Sequence, residues 1–199
     1  MKNLLLAGLI SLSLVLISYS NSYAQEGKSA AAPSEATSEV SVAGKMDPAK
    51  AAGELKKIFQ DLLSDHNAGN ADKVKAAING LKLAGHEKWF DDTFGTDKAK
   101  GLIAEYDEML AVFEQEFGKL LEKVVKGGET DVLVFLTVPG GLMSEATGLQ
   151  KDAIAAMKNP CPLFTVKFVK PGERSGVSVW SIVVQDGSFR FVGKMRKVQ

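Results

Sequence analysis

Cysteine and histidine are scarce in this sequence, and their scarcity excludes several kinds of site. Cys161 is the single cysteine, so no disulfide can form within one chain, and it has no CxxC partner. We expect a buried thiol there, with a reactive or intermolecular thiol as the alternative. The two histidines, His66 and His86, do not share a zinc-binding spacing, and we predict no metal site and no cofactor.

An excess of charge of one sign is also missing. Lys and Arg together number 24 and Asp and Glu together number 24, which gives a formal net charge of +0. A balanced chain has no general attraction to nucleic acid, and we expect none as a partner. The sequence also lacks a GxSxG motif, a Walker-type loop and a dinucleotide fingerprint, so no motif indicates nucleophilic serine or nucleotide chemistry.

Long apolar runs are confined to the N-terminus. Lys2 precedes an almost unbroken apolar stretch from Leu4 to Ile17, and Ser22-Tyr23-Ala24 places small residues at a cleavage position before Gln25. This pattern predicts an export signal over residues 1–24 and a mature protein that is periplasmic or extracellular, with no membrane span after processing. A retained membrane anchor is the alternative.

Composition divides the rest of the chain into a tether and one domain. Residues 25–46 are rich in Ala, Ser and Glu, with no aromatic side chain and no helical period, and we predict a disordered tether there. Residues 47–199 have the length and apolar content of a single domain.

The first half of this domain has helical periodicity. Apolar residues recur every three or four positions in three segments, each bounded by capping or stop residues. These amphipathic helices are predicted from Asp47-Pro48 to Gly69, from Asn70 to Gly85, and from Thr96 to Gly127-Gly128. An aromatic connector, residues 86–95, separates the second helix from the third.

The second half has strand-like patterns, predicted over residues 131–138, 163–169, 177–185 and 189–195. Thr147 and Gln150 have capping-box spacing and predict a short helix, and Asp186-Gly187 predicts a two-residue hairpin turn. The strand that contains Trp180 is apolar on both faces, which indicates an interior strand with a buried tryptophan. We therefore predict an α+β domain, in which N-terminal amphipathic helices pack on a curved, mainly antiparallel, cone-like sheet.

The terminal hairpin from Val183 to Gly193, with its Asp-Gly turn and aromatic-Arg strand, resembles the nuclear transport factor 2-like superfamily. The resemblance covers residues 47–199 in outline and only the hairpin in detail. It implies a cone of helices on a curved sheet, in a superfamily of isomerases, dehydratases, small-molecule binders and protein-binding modules. Enzymes of the superfamily place an Asp, His or Tyr inside the cone, but no such residue can be assigned here by motif.

Apolar and titratable side chains come together at the aromatic connector and on the third predicted helix. The connector supplies Trp89 and Phe90 beside His86 and Asp91, and the helix supplies Tyr106. A binding pocket requires this combination, so we predict that these five residues line a ligand site. The alternative is that Tyr106 belongs to the core and that Asp91 is a turn or cap residue.

The C-terminal hairpin is rich in cations. Strand alternation over residues 189–195 places Arg190 and Lys194 on one face. This pattern favours a solvated sheet face or edge, where Lys and Arg prevent unwanted strand pairing, and the alternative is an anion-binding surface.

These patterns favour an exported, non-catalytic domain that binds a small molecule or a protein partner. One alternative is an enzyme of isomerase or hydrolase type that acts in the cone pocket. The other is a structural module that forms a homodimer through its sheet face. A convergent acid–base pair in an apolar cavity would favour the enzyme, and a flat apolar outer sheet face would favour the dimer.

Overall fold

The structure is a computed structural model, and it describes residues 47–141 and 145–198. These residues form five α-helices and four strands. The predicted export signal and tether lie outside these described residues. The helices are α1 (Pro48–Asn67), α2 (Ala71–Gly80), α3 (His86–Phe94), α4 (Thr96–Gly127) and α5 (Gly148–Ala156). The strands are β1 (Asp131–Thr137), β2 (Leu163–Val169), β3 (Gly176–Gln185) and β4 (Ser188–Phe191), and a 3-10 turn follows at Arg196–Val198.

Helix α1 begins where the sequence predicts. The Asp47 carboxylate accepts a hydrogen bond from the Lys50 amide at 2.9 Å, and Pro48 stands in the first turn, where its missing N–H is not needed. The rings of Phe59 in α1 and Phe168 in β2 are 5.8 Å apart, so α1 covers one face of the sheet. Its buried stripe consists of Ala51, Leu55, Phe59, Leu62 and Leu63.

The aromatic connector, for which the sequence predicts no secondary structure, is helix α3. The second predicted helix is shorter than expected, since α2 ends at Gly80 rather than Gly85. Phe90, Thr93 and Phe94 are buried on one side of α3, where the helix packs on α4. A segment of 9 residues is too short to be helical by itself, and contact with α4 supplies the missing stability.

Helix α4 confirms the third predicted helix. It runs for 32 residues with its apolar stripe buried, and Gly128 ends it with a φ of 74°, a conformation that favours glycine. Among the described helices, none combines the length and hydropathy that crossing a bilayer requires.

The four strands form an antiparallel sheet in the order β1-β2-β3-β4. The predicted hairpin is present, because Asp186 and Gly187 have φ values of 50° and 71° and connect the paired residues Gln185 and Ser188. Positive φ at both positions suits the right-handed twist of the two strands. The prediction of an α+β class, with helices that precede an antiparallel sheet, is confirmed.

Strand β3 contains a bulge. Val166 pairs with Val179 whereas Phe164 pairs with Ile182, so β3 has one residue more than β2 over this stretch. The extra residue bends the strand, and Trp180 beside it is half-buried. The strand is interior as predicted, but the expectation of a buried tryptophan is wrong.

Strand β4 ends earlier than predicted. The Val192 amide donates to the Ser181 carbonyl at 2.9 Å, after which Gly193 and Met195, with φ values of 80° and 51°, turn the chain away from the sheet. The expectation that Arg190 and Lys194 share one strand face is therefore wrong, because Lys194 lies beyond the strand.

Helix α5 covers the other face of the sheet. Its predicted capping box is confirmed, since the Gln150 amide donates to Thr147 Oγ1 at 3.2 Å and the Thr147 amide donates to Gln150 Oε1 at 3.1 Å. The Gln150 side chain also donates to Thr165 Oγ1 of β2 at 3.0 Å. Thr165 and Phe168 point to opposite faces by alternation, so helices lie on both faces of β2.

Candidate functional site

The structure brings together four of the five residues predicted to line a pocket. Ring centroids are 4.9 Å apart for His86 and Tyr106, 5.6 Å for Phe90 and Tyr106, and 5.1 Å for Trp89 and Phe90. We call these four residues the aromatic cluster. Phe90 and Tyr106 are 1% and 2% exposed, so they fill the contact between α3 and α4, and only His86 and Trp89 reach the surface in part.

The Tyr106 hydroxyl is used by the backbone. It donates to the Phe191 carbonyl of β4 at 2.9 Å and accepts from the Leu83 amide at 2.7 Å. Burial raises the pKa of Tyr106 to about 12, although the bond from Leu83 acts in the opposite direction. The hydroxyl therefore links three parts of the chain, namely α4, β4 and the segment that follows α2. Its single proton is used in the hydrogen bond to Phe191.

His86 is held at the edge of the aromatic cluster by a carboxylate. Its Nε2 lies 2.8 Å from Asp107 Oδ1, and its Nδ1 lies 3.7 Å from Glu87 Oε2, with the side chain 12% exposed. A carboxylate at this distance orients an imidazole ring. Asp91, the fifth predicted residue, is exposed on α3.

The two predicted anion-binding residues make different contacts. The Arg190 guanidinium donates a hydrogen bond to the Gly80 carbonyl, at the end of α2. The Lys194 ammonium lies 5.8 Å from the ring centroid of Trp180, and burial lowers the pKa of Lys194 below its ordinary value. Each cation is thus engaged with its own neighbours on a different part of the surface.

Polar side chains are buried on the sheet face that α5 covers. We call Thr137, Gln150, Thr165, Lys167 and Ser178 the sheet polar cluster, and none of them is more than 7% exposed. Lys167 stands opposite Ser178 in the pairing of β2 with β3, and alternate residues of a strand share a face. The strand members therefore project from one face of the sheet.

Lys167 carries the charge of this cluster. Its ammonium is 3.4 Å from Glu145 Oε2 and 5.1 Å from the ring centroid of Phe135, and the Lys167 side chain is 9% exposed whereas that of Glu145 is 39% exposed. An ammonium has three N–H donors, and within the described residues Glu145 supplies the one hydrogen-bond acceptor. Lys167 can therefore bind a further acceptor.

Ser178 holds a buried hydroxyl without a partner. Ser178 is 1% exposed, and its Oγ has no hydrogen-bond partner among the described residues. Leaving such a group unpaired costs about 1–3 kcal/mol. Buried polar groups are otherwise paired in the great majority of cases, so this hydroxyl indicates a place for a hydrogen-bond partner that the described residues do not supply.

Sequence reasoning missed the sheet polar cluster. In β2, Thr165 and Lys167 alternate with apolar residues, and this pattern is typical of a strand with one solvated face. All of β2 is buried instead, with α5 packed over Thr165 and Phe135 of β1 beside Lys167. The signal that could have found the cluster is the presence of a lysine and a serine on two strands that are adjacent in the predicted sheet.

Cys161 is partly buried, rather than fully buried as the sequence predicts. Burial raises the pKa of Cys161 to about 11, and its Sγ lies 4.0 Å from Met157 Sδ. The thiol is therefore protonated at neutral pH, a state in which it is a poor nucleophile and a poor metal ligand.

Among the described residues, no group of three or more His, Cys, Asp or Glu side chains could hold a metal ion. No protein-family model, curated protein or solved structure matches the chain. The candidate function therefore depends on the geometry of the chain itself.

Proposed function

We propose that this protein is an exported, non-catalytic domain whose sheet polar cluster binds a small, partly apolar molecule with a carboxylate or carbonyl oxygen. The observation that carries this proposal is the buried Ser178 hydroxyl, which lacks a partner among the described residues and stands opposite Lys167. A ligand oxygen between these two side chains would accept a hydrogen bond from each. It would also remove the cost of the unpaired hydroxyl.

The surroundings of Lys167 support such a ligand. Leu133 and Phe135 of β1 lie opposite Lys167 and Thr165, on the same face, and both are partly exposed. Apolar walls with a few convergent polar groups are the usual composition of a small-molecule site. The ion pair with Glu145 is long and partly solvated, so a ligand anion would replace a weak interaction.

The same geometry favours binding over reaction. A nucleophilic serine needs a base within hydrogen-bond distance, about 2.6–3.2 Å. Ser178 Oγ has no such contact among the described residues, so Lys167 does not activate it. The superfamily that the sequence resembles also contains small-molecule binders, which agrees with this proposal.

A second candidate function, acid–base catalysis at His86, is favoured by one observation. Asp107 orients the imidazole at 2.8 Å, as a carboxylate does for a catalytic histidine. Phe90 and Tyr106 fill the space on the inner side of the ring, so a substrate would have to approach from the outer surface. A double variant, with His86 replaced by Gln and Asp91 by Asn, distinguishes a site at His86 from the proposed site at Lys167 and Ser178, because it changes only the former.

Titration with the fluorescent amphiphilic anion anilinonaphthalene sulfonate tests the proposal, alongside native mass spectrometry of protein from its host to detect a retained ligand. We expect Lys167→Met to weaken probe binding roughly tenfold or more, because a hydrogen bond to a charged group contributes about 1.5–3 kcal/mol. The matched control is Lys151→Met, which removes an exposed lysine of α5 and should bind the probe as the parent does. Probe binding that survives Lys167→Met but is lost in the His86 and Asp91 double variant would transfer the site to the aromatic cluster.

Ser178→Ala distinguishes a binding role of this hydroxyl from a structural one, because the two roles predict different effects on probe binding and on stability. We expect it to weaken probe binding by a smaller factor while leaving the free energy of unfolding in urea unchanged or slightly higher, since an unpaired buried hydroxyl contributes nothing favourable. Unchanged probe binding together with a loss of more than about 1 kcal/mol of stability would mean that Ser178 serves the fold instead.

A further inference from the structure

Strand β1 is an open edge of the sheet. It pairs with β2 alone, and within the described residues no other backbone group is hydrogen-bonded to it. The opposite edge is capped at its end, because the Phe191 amide of β4 donates to the Leu81 carbonyl at 2.8 Å and Lys82 forms a bridge with Phe191. About half of the N–H and C=O groups of β1 therefore point away from the sheet.

Strand β1 lacks the features that usually prevent edge strands from pairing with other chains. It is 7 residues long, and it contains no Lys, no Pro and no bulge against β2. Its one charge is Asp131 at the start, and the four residues from Leu133 to Leu136 are apolar and partly exposed. An edge of this kind is a template for a further strand.

A groove runs along this edge, between β1, the first turns of α1 and the loop between β2 and β3. The charges that line the groove balance each other: Lys56 and Arg174 are cations, and Asp131 and Glu173 are anions. The groove therefore selects neither an acidic nor a basic peptide, and its occupant should be close to neutral and apolar where it pairs.

We infer that the occupant is a second copy of this chain, with β1 antiparallel to β1 of the partner about a twofold axis at Val134. In this register Leu133 lies opposite the partner's Phe135 and Asp131 lies opposite the partner's Thr137. No like charges meet, because the two Asp131 carboxylates lie at opposite ends of the pair, roughly 20 Å apart. The cations and anions of the chain are nearly balanced, so net charge adds little repulsion between the copies.

This pairing is self-complementary, as a twofold interface requires, and it produces one continuous sheet through both copies. It differs from a dimer made through the sheet face, since it uses backbone groups at the edge. The two sites share Leu133 and Phe135 of β1, but the pairing uses backbone groups of the edge and the ligand site uses the polar side chains of Lys167 and Ser178. Oligomeric state and probe binding are therefore separate readouts of the two proposals.

Variants that introduce a charge at Val134 test the inference, because the twofold axis places Val134 of one copy opposite Val134 of the other. We expect the protein that begins at Gln25 to be dimeric by sedimentation velocity, and Val134→Lys and Val134→Glu each to shift it at least tenfold towards monomer. An equimolar mixture of the two variants should recover the dimer as a heterodimer. Ala111→Lys adds the same charge at an exposed position of α4 and should leave the dimer intact.

Hydrogen exchange of the parent protein tests the inference without any variant, so it does not depend on whether the variants fold. Amides of residues 131–137 should gain protection between about 2 and about 200 µM protein, because association is concentration-dependent. A monomeric parent throughout this range, a dimer that Val134→Lys leaves unchanged, or a mixture that stays monomeric would each overturn the inference. Dimers that form only after residues 25–44 are removed would also overturn it, since the chain's own N-terminal segment would then be the occupant.

Discussion

Tyr106 is a residue whose type indicates a ligand site and whose contacts indicate a structural role. Its ring packs between His86 and Phe90, and its hydroxyl bridges two backbone groups that belong to distant parts of the chain, Leu83 and Phe191. The contrast with Ser178 is instructive, because that hydroxyl is equally buried and has no partner among the described residues. At this scale, the partners of a polar atom distinguish a structural residue from a candidate binding residue.

Tyr106→Phe should therefore destabilise the protein. It removes both hydrogen bonds and leaves the Leu83 amide buried without its partner, at a cost of about 1–3 kcal/mol in the free energy of unfolding. Urea denaturation of the two proteins measures this difference, with probe binding at the sheet polar cluster as the control that should stay unchanged. Equal urea midpoints would contradict the bridging role of the hydroxyl.

The same pair of proteins should differ in their response to alkaline pH. Burial raises the pKa of Tyr106 from 10.0 to about 12, so the folded state holds this proton more tightly than the unfolded state. The resulting stability is fully present below pH 10 and is lost as pH rises through about 12. The stability advantage of the parent over Tyr106→Phe should shrink over that interval, and a constant advantage would exclude the raised pKa.

At the scale of elements, α3 and β3 depart most from their sequence patterns. Helix α3 exists because α4 provides a surface for Phe90, Thr93 and Phe94. Strand β3 bends at the bulge beside Ser181, so that Trp180 is only half-buried and meets the Lys194 ammonium. In both elements tertiary contacts decide the local geometry.

Trp180→Ala should therefore cost less than truncation of a fully buried aromatic residue. We expect a loss of about 1–3 kcal/mol, against about 3–5 kcal/mol for Phe168→Ala, whose ring is 0% exposed and packs on Phe59. Denaturant midpoints of the two variants decide the order. A larger loss for Trp180→Ala would mean that this tryptophan is more deeply packed than the bulge allows.

At the scale of the whole molecule, the sheet has helices on both faces and two unlike edges. Helices α1 and α4 pack on the face that carries Phe168, and α5 packs on the face that carries Thr165. The β4 edge is hydrogen-bonded to Leu81 at Phe191, and β1 is paired on one side only within the described residues. Burial of the second face creates the sheet polar cluster, and the open edge is where we place the second copy.

The N-terminal segment gives a prediction at this scale. Export should remove the first 24 residues, so N-terminal sequencing of the secreted protein should begin at or near Gln25. Met1 intact on a membrane-bound product would contradict this expectation.

The predicted tether should be dispensable for folding. A chain that begins at Lys45 should melt within a few degrees of the mature protein, because residues 25–44 carry no aromatic anchor for the domain. A large drop in melting temperature would contradict this expectation.

The sequence by itself determined the features that depend on neighbours along the chain. The Asp47 cap, the long stripe of α4, the capping box of Thr147 and Gln150, and the hairpin turn at Asp186-Gly187 are all present as predicted. Each is governed by local physics, namely helical periodicity, the need to satisfy the first amides of a helix, and the φ values that a tight turn requires.

Only the tertiary structure decided which polar side chains are buried and where the elements end. Helix α5 covers Thr165, and Lys167 is buried on the same face beside Phe135, although alternation alone would leave both residues in solvent. The Leu81 carbonyl accepts a hydrogen bond from the Phe191 amide at the end of β4. These outcomes depend on contacts between residues far apart in the sequence, and no local pattern encodes them. The candidate site depends on such contacts throughout, because the pairing of β2 with β3 brings Lys167 and Ser178 together on one buried face.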